Sequence, residues 1–148
     1  MPYWVTILSA LLTPTIAIAG GVIAGLQWRT AEKKRKQDLF DKRFAVFESA
    51  RNLLEEVQLQ GNPSHEALRA FAIGTSGAEF LFNDKVGRYL KEIGSRANHV
   101  QRSEARQERM PDGAQRNRVI DDSADQGEWL MQQASILETM VKPFLQIT

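Results

Sequence analysis

The chain lacks cysteine altogether and has only two histidines, His65 and His99, among its 148 residues. Without cysteine it can form neither a disulfide framework nor a thiolate site, which suits a reducing compartment. The two histidines lie far apart in sequence, and neither has a carboxylate or a second histidine at the spacing of metal ligands. We therefore expect no metal site and no cofactor.

The amino terminus lacks charge: none of the first 28 residues carries a charged side chain. The apolar run from Tyr3 to Trp28 is 26 residues long. As an α-helix it would extend over about 39 Å, which is enough to cross the roughly 30 Å hydrocarbon core of a bilayer with some tilt. Residues 1–28 are therefore predicted to form a single transmembrane helix.

The two ends of this run predict its orientation. Aromatic rings at Tyr3, Trp4 and Trp28 suit the headgroup layers. A basic cluster follows directly and consists of Arg29, Lys33, Lys34, Arg35 and Lys36. Because basic residues flank this side alone, we expect the amino terminus outside and the rest of the chain in the cytoplasm. The same cluster is suited to holding anionic lipid headgroups.

A cleaved signal peptide is the alternative interpretation of the amino terminus. Ala17-Ile18-Ala19 before Gly20 has the small-x-small form that a signal peptidase accepts. However, no Lys or Arg precedes the apolar run, and the run continues past that point to Trp28. A membrane anchor explains both observations, so we prefer it.

Small residues recur at every fourth position within the run, namely Ser9, Thr13, Ala17, Gly21 and Gly25. Such a ridge lets two helix backbones approach closely, which is how transmembrane helices associate in lipid. We therefore expect the ridge to promote self-association. A polar pore is the weaker interpretation, because the run holds no ionisable residue and ion pathways usually have one.

The remainder of the chain contains no long alternation of polar and apolar residues, so the predicted fold is all-α. Residues 29–60 are predicted to be a basic juxtamembrane segment and a stalk helix, and residues 61–148 the remaining helices of an antiparallel cytoplasmic bundle. The stalk carries an apolar stripe made of Leu39, Phe40, Phe44, Val46, Phe47, Ala50, Leu53, Leu54 and Val57. A stripe this wide must pack against something.

Turn and cap residues divide the chain after the stalk. Gly61-Asn62-Pro63 should end the stalk helix, and Ser64 should cap a short helix. Gly74-Thr75-Ser76-Gly77 superficially resembles a phosphate-binding turn, but it lacks the Gly-Lys-Ser/Thr ending and a preceding strand. We interpret Ser76 and Glu79 as a capping box for a helix whose residues 80–82 enter the core.

Two apolar patterns predict the last two helices. The first has a step near 3.5 residues and consists of Val86, Leu90, Ile93, Ala97 and Val100. The second is a near-heptad seam in one final helix, made of Ile120, Ser123, Gly127, Leu130, Ala134, Leu137, Val141 and Phe144. Between them large apolar residues nearly vanish, so we expect a solvated helical tip with a turn at Pro111-Asp112-Gly113.

The charged residues suggest neither an enzyme nor a nucleic-acid-binding protein. Asp121, Asp122 and Asp125 are the one tight carboxylate group, and a solvated acidic face explains them. Basic and acidic blocks alternate along the chain, whereas a nucleic-acid surface needs a large basic face. We therefore expect no catalytic activity and no nucleic-acid partner.

Two segments resemble a group of small bacterial inner-membrane proteins with one amino-terminal span and a helical cytoplasmic region. They are LFDKRFAVFESARNLL at residues 39–54 and FAIGTSGAEFLFNDKVGRYLKEIGSRA at residues 71–97. The resemblance implies a bacterial or phage-borne origin, a helical fold and location in the inner membrane. It implies no activity, so no functional residue is carried over.

Two functional hypotheses follow. In the first, the protein is a membrane-anchored helical scaffold or interaction module that forms a homo-oligomer and presents its bundle to a cytoplasmic protein partner. In the alternative, it is a membrane-active effector or channel-like oligomer whose assembled spans permeabilise the bilayer. Both hypotheses make the lipid bilayer a partner.

Overall fold

A computed structural model describes residues 3–146, with side chains described at Tyr3 and from Gly20 onward. The predicted all-α fold is confirmed, because every regular element in the described residues is helical. The helices are α1 (Tyr3–Gln60), α2 (His65–Thr75), α3 (Ala78–Leu81), α4 (Asp84–Gln107), α5 (Ala114–Met131) and α6 (Gln133–Val141), and a 3-10 turn follows at Lys142–Phe144.

The chain divides into two units, Met1–Asp38 and Leu39–Thr148. The described part of the first unit is the amino-terminal portion of α1. No helix in the described part of the chain is long and apolar enough to cross a membrane, so the described residues do not support the predicted transmembrane helix. Much of the predicted span falls on residues 4–19, whose side chains lie outside the described part of the chain.

The hydrophobic core belongs to the second unit, and α4 is its central helix. Helices α2, α3 and α5 all pack against α4. The predicted α4 pattern from Val86 to Val100 is confirmed, since each of its five members is buried. From α1, the core takes Val46, Ala50, Leu53, Leu54 and Val57. Two members of the predicted α1 stripe, Leu39 and Phe44, remain exposed.

Local capping chemistry confirms two predicted boundaries, at Gly61 and Ser64. Gly61 adopts a φ of +77°, which an L side chain rarely tolerates, and its N–H bonds to the Val57 carbonyl at 2.8 Å as α1 ends. The Ser64 hydroxyl accepts a hydrogen bond from the Ala67 N–H at 3.1 Å and caps α2. Asn83 caps α4 in the same way.

The capping box predicted at Ser76 and Glu79 is wrong. Gly77 is the residue before α3, and Ser76 instead donates to the carbonyl of Ile73 at 2.9 Å. Glu79 forms an ion pair across to Lys91 at 3.1 Å. Each side chain therefore serves a contact other than the start of α3.

The prediction that residues 80–82 all enter the core is also wrong. Phe82 is buried and Leu81 is partly buried, but Phe80 is 85% exposed. Phe80 and Leu81 are successive helical residues, whose side chains point about 100° apart, so they cannot share one face. Phe82 follows α3 in an extended conformation and is not bound by the helical spacing.

The single final helix predicted from the seam is broken at Gln132, between α5 and α6. The Gln132 N–H bonds to the Trp129 carbonyl at 3.2 Å, which is a three-residue rather than a four-residue step. The buried side chain of Gln133 donates to the same carbonyl at 2.8 Å. This amide takes the place of the regular helical donor. Leu130, Leu137 and Val141 still enter the core as predicted.

Arg43 of α1 joins two distant chain segments. Its Nε donates to the Leu81 carbonyl at 2.8 Å, and its Nη1 donates to the Phe144 carbonyl at 3.0 Å. The guanidinium carbon lies 5.7 Å from the Phe144 ring centroid and 6.0 Å from that of Phe82. Those two rings contact each other edge to face at 5.4 Å. One side chain therefore satisfies carbonyls at the last residues of α3 and of the 3-10 turn.

We expect Arg43→Leu to lower the free energy of unfolding by about 2 kcal/mol, because two charge-assisted hydrogen bonds are lost while the apolar stem is retained. Urea unfolding of the full chain would measure this loss. Lys42→Leu is the matched control, since Lys42 is its exposed neighbour. Equal stability of the two variants would contradict the role assigned to Arg43.

The glycine at position 74 is explained by packing rather than by a phosphate turn. A Cβ added at Gly74 would lie 2.6 Å from the Ser49 Cβ on α1, whereas one at Gly127 would meet nothing within 4 Å. We expect Gly74→Ala to destabilise the protein by about 1–3 kcal/mol through overpacking. Gly127→Ala should instead stabilise helix α5 by about 0.5–1 kcal/mol. Thermal or urea unfolding distinguishes these opposite signs.

Candidate interaction surfaces

An open groove lies between the start of α4 and the segment formed by α6 and the 3-10 turn. Its volume is about 630 Å³, which is within the usual range for small-molecule sites. The apolar residues that line it are Val86, Ile136, Met140, Pro143 and Phe144. Ile136 is 44% exposed, so the apolar lining is open to a ligand. We call this site the α4–α6 groove.

The polar residues of the α4–α6 groove are mostly engaged within the protein. The Asn83 side-chain oxygen accepts from the Val86 N–H at 3.0 Å, and the Thr139 hydroxyl donates to the Ser135 carbonyl at 2.9 Å. Lys85 is the one charged residue among the described residues that line the groove. No ion pair of Lys85 occurs within the described part of the chain. Its ammonium group is therefore available to an anion.

A polar network attaches α6 to α4 close to this groove. The Tyr89 hydroxyl donates to the Gln133 side-chain oxygen at 2.8 Å. The Tyr89 ring packs against Trp129 at a centroid distance of 6.5 Å. The Arg96 guanidinium also lies over Trp129, and its central carbon is 4.2 Å from the ring centroid. The network links α4 to α5 and to the first residue of α6, and so helps to form the groove before any ligand arrives.

Three aromatic rings on α1 form a second surface, the aromatic flank of Phe40, Phe44 and Phe47. The rings of Phe40 and Phe44 stack with centroids 5.9 Å apart, and those of Phe44 and Phe47 are 6.1 Å apart. Phe47 packs against the core, whereas Phe44 is 43% exposed. The flank therefore extends the core onto the surface of the second unit.

The predicted span-association and interface residues are not brought together into a site in the described part of the chain. A Cβ added at Gly21 or Gly25 would meet nothing within 4 Å. Tyr3 and Trp28 are exposed, as is the basic cluster of Arg29, Lys33, Lys34, Arg35 and Lys36. The side chains of Trp4, Ser9, Thr13 and Ala17 lie outside the described residues.

The histidines and aspartates make pairwise surface contacts. His99 Nε2 lies 2.6 Å from Asp122 Oδ2, which links α4 to α5. The Gln101 amide donates to His65 Nε2 at 2.8 Å and links α4 to α2. No group of three or more metal-ligating side chains occurs among the described residues. The sequence placed Asp122 in an acidic face and missed its histidine partner, because the two residues meet only through helix packing.

No known protein family, curated protein or solved structure matches the chain. The expected resemblance to small bacterial inner-membrane proteins stays a prediction. Function must therefore be inferred from the chain's own surfaces, among which the α4–α6 groove and the aromatic flank both expose apolar side chains next to the core.

Tyr89 makes the polar network that attaches α6 to α4 sensitive to alkaline pH. Burial, and then the nearby charge of Glu92, raise the pKa of Tyr89 from 10.0 to about 12. Between these two pKa values the native state keeps the Tyr89 proton, whereas the unfolded chain releases it. The stability that protonated Tyr89 contributes is therefore complete below pH 10 and is lost as pH rises through about 12.

We expect Tyr89→Phe to remove this loss, so that its stability falls less steeply than that of the wild type between pH 10 and 12. Urea unfolding across that pH range would measure the slopes. Tyr3→Phe is the matched control, because Tyr3 is the other tyrosine and is exposed. A wild-type slope in Tyr89→Phe would contradict the prediction.

Proposed function

We propose that the protein is a membrane-anchored helical interaction module that self-associates, has no catalytic activity of its own and presents its bundle to a protein partner. The observation that carries the proposal is the aromatic flank on α1. Its rings are held in contact with one another, and one of them, Phe44, is 43% exposed.

The flank has the properties of a site for another copy of the chain. Aromatic side chains dominate interface energetics and lose little conformational freedom when they are already packed. Phe40 and Phe47 contact Phe44 from both sides along the helix, so its exposed face is oriented before association. Leu39 adds a second exposed apolar side chain on the same helix.

The proposed anchor is supported by the sequence of the amino terminus. The first 28 residues carry no charge, and five basic residues follow within Arg29 to Lys36. This pattern favours a transmembrane helix with the basic side in the cytoplasm of a bacterial inner membrane. The basic cluster would contact anionic headgroups there.

Self-association through the aromatic flank predicts that Phe44→Glu lowers the oligomeric state of the full chain. Placing a carboxylate in a buried interface would cost several kilocalories per mole unless it is paired, whereas at a water-exposed site it costs little. Phe80→Glu is the matched control, because Phe80 is also a helical phenylalanine and is more exposed. Mass measurement in nanodiscs would compare the two variants with the wild type.

A monomeric wild type, or an oligomer whose mass is the same in both variants, would contradict association through this flank. A third variant, Gly21→Leu, separates the flank from the small-residue ridge. Since a Cβ at Gly21 meets nothing within 4 Å among the described residues, a change in mass would report association rather than misfolding. The alternative of a membrane-permeabilising oligomer depends on that ridge and stays a prediction; loss of the oligomer in Gly21→Leu alone would favour it.

A further inference from the structure

We propose that the α4–α6 groove binds a long-chain carboxylate, that is, a fatty acid, with its hydrocarbon chain along α6 and its carboxylate paired with Lys85. This inference goes beyond the proposed function and does not depend on the aromatic flank. It rests on the shape of the groove, on the chemistry of its lining and on the distribution of charge around it.

The apolar part of the lining fits a single hydrocarbon chain. Ile136, Met140 and Phe144 follow one another at four-residue steps and therefore line one side of α6 and the turn after it. From Ser135 to Phe144 this side is about 14 Å long. Val86 of α4 contributes the opposite wall. A thin, flexible chain can follow a groove of this form without any change in the helices.

The charge in the groove selects a single anion. Lys85 is the one charged residue among the described lining residues, and none of those residues carries a carboxylate. An anionic group beside Lys85 therefore meets one cation and no like charge among these lining residues. A fatty acid has this combination of one negative group and one apolar chain.

A peptide fits the groove less well. An extended peptide brings amide groups that need hydrogen-bond partners when they leave water. The Asn83 oxygen and the Thr139 hydroxyl already bond within the protein. A stable protein interface moreover engages about 20–30 residues on each side, and nine residues line this groove. Hydrocarbon makes no demand for polar partners, so it matches the lining better.

The test uses the full chain in phosphatidylcholine nanodiscs and a palmitate analogue that carries a photoreactive diazirine near the end of its chain. After illumination, mass spectrometry of the digested protein locates the label. We expect the label within residues 82–90 and 132–146. Excess palmitate should suppress it, whereas methyl palmitate, which has the same chain without the charge, should suppress it much less.

Two pairs of variants test the residues themselves. Lys85→Gln should reduce labelling roughly three- to tenfold, whereas Lys91→Gln should not, because Lys91 lies on the same helix but outside the groove and pairs with Glu79. Ile136→Glu should abolish labelling by adding a carboxylate to the groove. Ile73→Glu is its control, since Ile73 is exposed on α2.

Four results would overturn the proposal. The label could scatter outside the groove, methyl palmitate could compete as well as palmitate, or Lys85→Gln could be labelled as strongly as the wild type. Labelling that is weak in an oligomeric wild type and strong in monomeric Phe44→Glu would also overturn it, because a second copy would then occupy the groove. Failure of the flank to mediate association leaves each of these readouts unaffected.

Discussion

The second unit depends on one arginine that connects residues far apart in the chain. Arg43 donates to carbonyls 38 and 101 residues away. Each carbonyl belongs to the last residue of its helical element, where the regular helical donor is missing. A guanidinium group can serve both because its donors diverge in one rigid plane. The same group lies near the rings of Phe82 and Phe144, so α1, α3 and the end of the chain meet at one side chain.

This contact also matters for the α4–α6 groove. Phe144 lines the groove, and its carbonyl is one of the two that Arg43 holds. Further along, the Tyr89 hydroxyl and the buried Gln133 amide attach the start of α6 to α4. The segment of α6 and the 3-10 turn, which lines the groove, is therefore hydrogen-bonded to other helices at both of its ends. These contacts keep its exposed apolar residues at the surface of the groove. A preformed apolar site loses less free energy on binding than one that must first be ordered.

The two apolar surfaces suit different occupants. The aromatic flank presents rings on a helix surface, where another protein surface can cover them over a wide area. The α4–α6 groove is concave, and its few described lining residues include a cation and no carboxylate. We propose self-association for the first and fatty-acid binding for the second because shape and charge, rather than apolarity alone, distinguish them.

The sequence by itself determined the helical class, the caps at Gly61 and Ser64, and the buried face of α4. These depend on backbone conformation and on residues within one or two turns, so a local pattern contains the required information. Only the tertiary structure decided the partners of Arg43 and the close approach that requires glycine at position 74. It also decided the break at Gln132, where a buried amide has to satisfy both Trp129 and Tyr89. Such contacts join residues that are distant in sequence, and no periodicity along the chain encodes which of them meet.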